Sequence, residues 1–277
     1  MIVTSTRKDE ALDRLTDGIA QLTSSDKWTA WLRVQARFHS YSFNNTILIL
    51  VQRPTAGRVA GFHTWRRLGR FVRRGEQAVW ILAPVTRRVA DEESDNPVRT
   101  VVAFRPVPVF AQDQTEGDPL PAICVRLHGD DAPGAYGGLV QVAHSFGFTV
   151  EDHAFDGETN GDCSHALQRI RIEATLEPTH RVKTLAHELA HALLHMDRSE
   201  RALMELEAES VAFVVCDALD IDAGEWTFGY VAGWSGGGDN AIAAIKAAGT
   251  RIQRTADRIL SGLNLADGGV LEPTSGT

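Results

Sequence analysis

The residues most able to do chemistry are two histidines four positions apart, His187 and His191, with Glu188 directly after the first. On an α-helix, side chains at this spacing lie about 40° apart around the axis and about 6 Å apart along it. Both imidazoles can therefore meet at one tetrahedral ion, and Glu188 can face a water molecule on that ion. The flanking residues 184–194 contain neither Gly nor Pro, which favours a buried helix.

A catalytic zinc ion usually keeps three protein ligands and one open position, so a third donor is needed. Residues 203–216 form a second helical pattern, which is mostly apolar but carries three carboxylates. Glu205 and Glu209 share one face of that helix, whereas Glu207 points about 160° away. We expect Glu205 to be the third ligand and Glu209 to hydrogen-bond a ligand imidazole. The reverse assignment, or Glu207 as the ligand, stays open at this point.

Other polar residues near this pattern have simpler interpretations. Glu207 is expected on a solvated helix face, and His195 near a helix C-terminus, where a partly charged imidazole is favourable; a ligand role for His195 is the less expected alternative. His165 and Tyr230 are candidates for stabilising an oxyanion, although either is more often a packing residue.

A zinc ion held in this way would polarise a carbonyl and lower the pKa of its water. Glu188 would take the proton from that water and deliver it to the leaving amine, so the implied reaction is peptide-bond hydrolysis. The strand predicted over residues 165–172 would be the edge to which a substrate backbone pairs. Histidine and carboxylate ligands also accept Mn²⁺ or Co²⁺.

The composition predicts a two-domain protein without a membrane span. The chain has 277 residues, of which 43% are hydrophobic, and its longest apolar run is far too short to cross a bilayer. The N-terminus lacks the apolar core of a signal peptide. Three scattered cysteines form no disulfide framework, which fits a cytoplasmic protein.

The net charge of −8 hides an asymmetry, because residues 1–90 carry a net charge of +9 and the remainder −17. A basic front half is typical of a protein that binds a polyanion. Its arginines concentrate around two aromatic residues, Trp65 and Phe71, and the candidate DNA-binding residues are Trp65, Arg66, Arg67, Arg70, Arg73 and Arg74. Tryptophans at helical spacing are more often core residues, so the arginines are the better candidates. For Asn44 and Asn45, helix capping is at least as expected as a base contact.

The pattern of elements predicts an α+β fold. Residues 1–111 read as an α+β module with an antiparallel sheet, and an acidic loop over residues 91–96 joins two of its strands. Residues 112–122 are polar and contain Pro, and are expected to form a linker. We expect the metal-binding domain to span residues 123–265 and residues 266–277 to be a disordered tail.

With these residues in place, the chain resembles the ArdC-type antirestriction proteins. The front-half resemblance rests on a series of short motifs in matching order, namely Phe43-Asn44-Asn45, Gln52-Arg53-Pro54, Val59-Ala60-Gly61-Phe62, Trp65, Leu68-Gly69-Arg70, Arg74-Gly75-Glu76 and Ile81-Leu82-Ala83-Pro84. The back half also resembles the ImmA/IrrE-like peptidases, through residues 187–191 and the pair Glu205 and Glu209.

The resemblance implies an N-terminal domain that binds single-stranded DNA with little sequence preference, followed by a zincin-like metallopeptidase domain with one zinc ion and Glu205 as third ligand. Our first hypothesis is an active peptidase that its DNA-binding domain delivers to a protein target such as a repressor or a restriction component. Two alternatives remain: an antirestriction protein that binds DNA and whose metal domain is catalytically idle, or a purely structural zinc ion.

Overall fold

The computed structural model describes residues 2–91, 94–118, 132–196, 200–224, 226, 228, 231 and 238–263, which form two compact units. Of these, residues 2–18 and 44–118 belong to the first unit, and residues 19–43 and 132–263 to the second. Helices and strands mix within each unit, so the α+β expectation is confirmed. No helix among the described residues is long and apolar enough to cross a membrane.

The unit boundaries differ from the domain boundaries expected from the sequence. Residues 19–43, expected in the front domain, belong to the second unit, where the indole N–H of Trp28 donates to Ser210 Oγ at 2.9 Å. Residues 112–117 are not a linker, because they form a short 3-10 helix and a strand that pairs within the first unit. The expected tail over residues 266–277 lies outside the described residues.

The first unit combines helices with two antiparallel sheets. Its helices are α1 (Ile2–Ala20), α3 (Phe43–Gln52) and α4 (Phe62–Arg67). One sheet has the order β1–β4–β3 and the other pairs β2 with β5. The strands are β1 (Val59–Ala60), β2 (Arg70–Val72), β3 (Val79–Asp91), β4 (Ser94–Ala111) and β5 (Thr115–Gly117). Strands β3 and β4 take up most of the acidic segment that was expected to be a loop, because their antiparallel pairing continues to Asp91 and Ser94.

Two side-chain amides of α3 bond the backbone of β3. Asn45 accepts from the N–H of Leu82 at 2.9 Å and donates to its carbonyl at 3.1 Å. Gln52 makes the same pair of bonds with Trp80, at 3.0 and 2.9 Å. The two amides satisfy backbone groups that an edge strand would otherwise leave unpaired. Asn45 therefore joins a helix to a sheet, a role that the sequence analysis did not predict.

The second unit surrounds a small sheet with helices. The sheet has the order β6–β8–β7, in which β8 pairs parallel with β6 and antiparallel with β7. Its elements are α2 (Ser25–Arg37), α5 (Ala132–Ser145), β6 (Thr149–His153), β7 (Gly161–Ser164), β8 (Arg169–Glu173), α6 (Pro178–Leu194), α7 (Arg201–Ala218) and α8 (Asp239–Gly262). Helices α6 and α7 pack against each other, and their contact carries the candidate site.

The segment expected as a substrate edge, residues 165–172, is the turn of a hairpin followed by most of its second strand, β8, which is the central strand of the sheet. Residues 165–168 form the turn between β7 and β8, and β8 has a neighbour on each side, so it cannot accept another strand. In the part of the chain that the structure describes, β7 pairs only with β8 and is the edge next to α6. The candidate edge for pairing with a substrate backbone is therefore β7 and not residues 165–172.

Candidate metal centre

Helix α6 presents both histidines from one face. It begins at Pro178, whose fixed φ suits a first helical turn, and continues without another Pro or any Gly to Leu194. Val182, Leu185 and Leu189 are fully buried on its inner side, which fixes the rotation of the helix. The Nε2 atoms of His187 and His191 consequently lie 3.0 Å apart.

Helix α7 brings Glu205 to the same point. Its carboxylate Oε2 lies 3.4 Å from Nε2 of His187 and 3.7 Å from Nε2 of His191. Ligand atoms at zinc–ligand distances of about 2.0–2.1 Å in a tetrahedron stand about 3.3 Å apart. The three donor atoms fit a divalent ion of this size without any change of helix position. The structure thus brings together the three residues expected as ligands.

Glu209 lies behind His187 rather than beside the three donor atoms. Its Oε2 atom is 3.2 Å from Nδ1 of His187, and its Oε1 atom is 3.1 Å from the Lys183 ammonium group. Burial opposes ionisation of Glu209, but the His187 hydrogen bond and Lys183 outweigh it and lower its pKa. The carboxylate is therefore held as an anion that accepts a hydrogen bond from Nδ1–H of His187, so that Nε2 of His187 is the nitrogen directed at a metal.

Carboxylates dominate the electrostatics of the site. Burial opposes protonation of His187, but Glu205 and Glu209 outweigh it and raise its pKa to about 9. The two histidines in turn hold the pKa of Glu205 well below its usual range. The site therefore favours positive charge, as a cation-binding site must.

Glu188 is a buried carboxyl beside the histidines, and it lines an open cleft of about 480 Å³ together with His187, His191, Glu205 and Glu209. Burial raises its pKa, and the neighbouring imidazoles act in the opposite direction. The cleft wall also includes Gly161, where an added Cβ atom would stand 3.1 Å from Cγ of Glu188. Glycine at the start of β7 thus leaves the room that the Glu188 side chain occupies.

Of the two oxyanion candidates, only His165 lies among the described residues. Nε2 of His165 lies 3.2 Å from the carbonyl of Ala192 and its ring packs on Phe148, away from the cleft walls. Tyr230 lies outside the described residues. His180 does line the cleft, and sequence reasoning missed it. Its spacing of seven residues from His187, which repeats a helix face, was the signal available.

Glu207 does not lie on a solvated helix face, as the sequence analysis expected, but in the protein interior. Its side chain is only 3% exposed, and it contacts Nε2 of His195 at 3.2 Å and Nε of Arg251 at 2.9 Å. The expected solvated face is instead covered by α8, whose Arg251 lies 44 residues later in the chain. His195 is buried as well, and its Nδ1 atom contacts Nδ1 of His191 at 2.8 Å, on the side away from the other donors. In this arrangement neither residue is a ligand.

The candidate DNA-binding residues divide into two groups. Arg66, Arg67 and Arg74 are exposed and form no ion pair with any described residue. Arg70 instead bonds Thr115 and the carbonyls of Gly117 and Asp118, which ties β2 to β5. Arg73 pairs with Glu76 at 2.7 Å and bonds the Asp113 carbonyl.

Trp65, expected as a candidate DNA-binding residue, is fully buried. Its indole N–H donates to the carbonyl of Phe110 at 2.9 Å. A ring without exposed surface cannot stack on a base. The exposed aromatic residues nearby in the sequence are Phe62 and Phe71, with 44% and 53% of their surface accessible.

Comparison with known families finds a separate match for each half of the chain. Residues 8–113 match the N-terminal domain of anti-restriction factor ArdC, and residues 143–216 match the IrrE N-terminal-like domain of peptidase family M78. No protein of curated function matches the chain in sequence at a significant level.

Two crystal structures of the antirestriction protein ArdC from plasmid R388 share the fold. The metal-free form is 20% identical with a TM-score of 0.53, over 81% of this chain and 85% of that chain. The Mn(II)-bound form is 17% identical with a TM-score of 0.55, over 90% and 97% of the two chains.

Proposed function

We propose that the second unit is a metal-dependent peptidase with one zinc ion per chain, because residues 8–113 match the ArdC N-terminal domain and residues 143–216 match an IrrE-like peptidase domain. The observation that carries the proposal is the triangle of donor atoms on His187, His191 and Glu205, all within 4.8 Å of one another. When bound, the ion would supply a Lewis acid that polarises a carbonyl and acidifies a water molecule. The Mn(II)-bound relative supports a divalent metal in proteins of this fold.

Within this chain, Glu188 is the group that accepts a proton from the attacking water and passes it to the leaving amine. Its carboxyl lines the same cleft as the ligand candidates, so water in the cleft is within its reach. The three protein donors face an open cleft, whereas a structural zinc site is closed by a fourth protein ligand. This difference favours a catalytic ion over a structural one.

The cleft fits an extended peptide as substrate. Residues 159–161, which lead into β7, form part of its wall, and in the described part of the chain β7 has β8 as its single neighbour. A peptide segment can therefore add to the free edge of β7 through main-chain hydrogen bonds. His180 and Lys183 line the same cleft and give this wall donor groups for peptide carbonyls.

The Glu188→Gln variant tests catalysis separately from metal binding. An unstructured protein such as casein is incubated with the zinc-loaded protein, and cleavage is followed by mass spectrometry. We expect the variant to keep its zinc and to lose at least about 10²-fold in cleavage rate, the usual contribution of a general base. Unchanged cleavage by the variant would contradict the role of Glu188. A zinc-loaded wild-type protein without cleavage would favour the alternative, an antirestriction protein whose metal domain is catalytically idle.

For the first unit we propose binding of single-stranded DNA, supported by the ArdC N-terminal match and by the exposed side chains of Arg66, Arg67 and Arg74, which form no ion pair with a described residue. Such groups neutralise backbone phosphates without reading sequence. Phe62 and Phe71 replace Trp65 as the candidates for base stacking, because their rings are accessible. Arg70 and Arg73 contribute less in this proposal, since their guanidinium groups hold β5 and the loops around it.

A further inference from the structure

A chain of hydrogen bonds leads from His191 to helix α8 on the side opposite the cleft. Nδ1 of His191 lies 2.8 Å from Nδ1 of His195, and Nε2 of His195 lies 3.2 Å from Oε2 of Glu207. The other oxygen of Glu207 accepts from Nε of Arg251 at 2.9 Å and also from Nη2. The chain thus joins the end of α6 to α7 and α8.

The two inner members are buried and fully paired. His195 and Glu207 are 6% and 3% exposed, and burying such groups is unfavourable unless each polar atom finds a partner. Among the buried side-chain nitrogen and oxygen atoms of the described residues, Nε of Arg169 is alone in lacking one. Arg251 is partly exposed and supplies the positive charge that balances Glu207.

The direction of hydrogen-bond donation along this chain follows from its outer member, Arg251. Arg251 only donates, so the Glu207 carboxylate is an acceptor and takes a hydrogen bond from Nε2–H of His195. Nδ1 of His195 is then unprotonated and accepts from Nδ1–H of His191. The remaining nitrogen of His191, Nε2, is left without a proton and carries its lone pair towards Glu205 and His187.

We propose that His195, Glu207 and Arg251 are positioning residues that hold His191 in its metal-binding tautomer and orientation. The inference rests on the proposed metal site and adds a second means of support to it. His187 is held from behind by a carboxylate, whereas His191 is held by an imidazole that a buried carboxylate orients in turn. Removing such partners typically weakens metal binding about 10–100-fold.

The test measures zinc affinity of the full-length protein by competition with a chromogenic chelator, alongside the melting temperature of the metal-free form. For His195→Phe we expect about 10–100-fold weaker binding, because Nδ1–H of His191 loses its acceptor. His195→Asn keeps an acceptor near the Nδ1 position and should recover most of the affinity. If the role of His195 were merely structural, His195→Phe would lower the metal-free melting temperature, and both variants would bind zinc with the affinity of the wild type.

A second pair of variants covers the case in which His195→Phe does not fold. Arg251→Met removes the outer member, and Arg254→Met removes an exposed arginine one turn along the same helix as the matched control. We expect Arg251→Met to bind zinc more weakly than the wild type, and Arg254→Met to bind it as the wild type does.

Zinc binding by His195→Phe within twofold of wild type, or equal effects of the two arginine variants, would overturn the proposal. Absence of zinc binding by the wild-type protein would instead overturn the metal site itself, so the two failures are distinguishable.

Discussion

Glu205 and Glu209 are one helical turn apart, yet their surroundings give them different roles. The Glu205 side chain is about half exposed and faces both imidazoles, and no lysine or arginine among the described residues forms an ion pair with it. Glu209 is mostly buried and already balanced by the Lys183 ammonium group, which itself lies over the ring of Trp226. A carboxylate neutralised by lysine is a poorer ligand for a divalent ion, whereas it remains a good acceptor for an imidazole N–H.

The Glu209→Gln variant is expected to weaken zinc binding about 10–100-fold, because His187 loses an anionic partner while all three ligands remain. The loss should be smaller than that caused by Glu205→Ala. Zinc dissociation constants of both variants check this order, with Glu158→Gln as an exposed control that lines no part of the cleft. A reversed order would exchange the roles of the two glutamates.

At the scale of elements, the site depends on the approach of β7 to α6. The two elements pack together at Gly161, where an added Cβ atom would stand 2.8 Å from Cγ2 of Thr184 and 3.1 Å from the carbonyl of Arg171. The Thr184 methyl group is buried on a short side chain, so it has little freedom to move away. The close approach is what places residues 159–161 in the wall of the cleft beside Glu188.

Gly161→Ala is expected to lower the free energy of unfolding by about 1–3 kcal/mol, the usual result of overpacking. It should also displace Glu188 and reduce cleavage. Gly137→Ala in α5 is the matched control, because an added methyl group meets nothing within 4 Å there and the higher helix propensity of Ala should stabilise by up to about 1 kcal/mol. Denaturant unfolding measures the free energy of unfolding of both variants. Equal stability of the two variants would show that β7 and α6 are less tightly packed than described.

The elements that the sequence predicted well are those specified by local spacing. The α6 histidines and the shared face of Glu205 and Glu209 follow from the helical repeat, which needs no knowledge of the rest of the fold. The burial of Glu207 could not be predicted in this way, because α8 covers it and Arg251 lies 44 residues further along the chain. Trp65 fits either a core or a surface role by spacing alone, and only the position of β4 decides between them.

At the scale of the whole molecule, two compact units carry the two halves of the proposed function. Residues 1–90 are strongly basic, whereas the remainder is acidic, so attraction of a polyanion is expected at the front of the sequence. The first unit does not coincide with that basic segment, because residues 19–43 belong to the second. Charge counted along the sequence therefore does not locate the boundary between the two units.

Replacing Arg66, Arg67 and Arg74 together by Gln is expected to weaken binding of single-stranded DNA and to lessen its dependence on salt. Each lost phosphate contact lowers the slope of log affinity against log salt by about 0.7, so three contacts lower it by about 2. The control replaces Arg201, Lys246 and Arg254, exposed residues of the second unit with the same total charge. Fluorescence anisotropy with labelled oligonucleotides measures both, and equal slopes would remove the three arginines from the interface.

The central claim is that three side chains of α6 and α7 hold one divalent ion. The most direct measurement is the zinc content per chain, by elemental analysis after dialysis, of wild-type protein and of Glu205→Ala. We expect one equivalent of zinc in the wild-type protein and most of it lost in the variant, while Glu188→Gln keeps its zinc. A wild-type protein that retains no zinc, or a Glu205→Ala variant that retains all of it, would contradict the account.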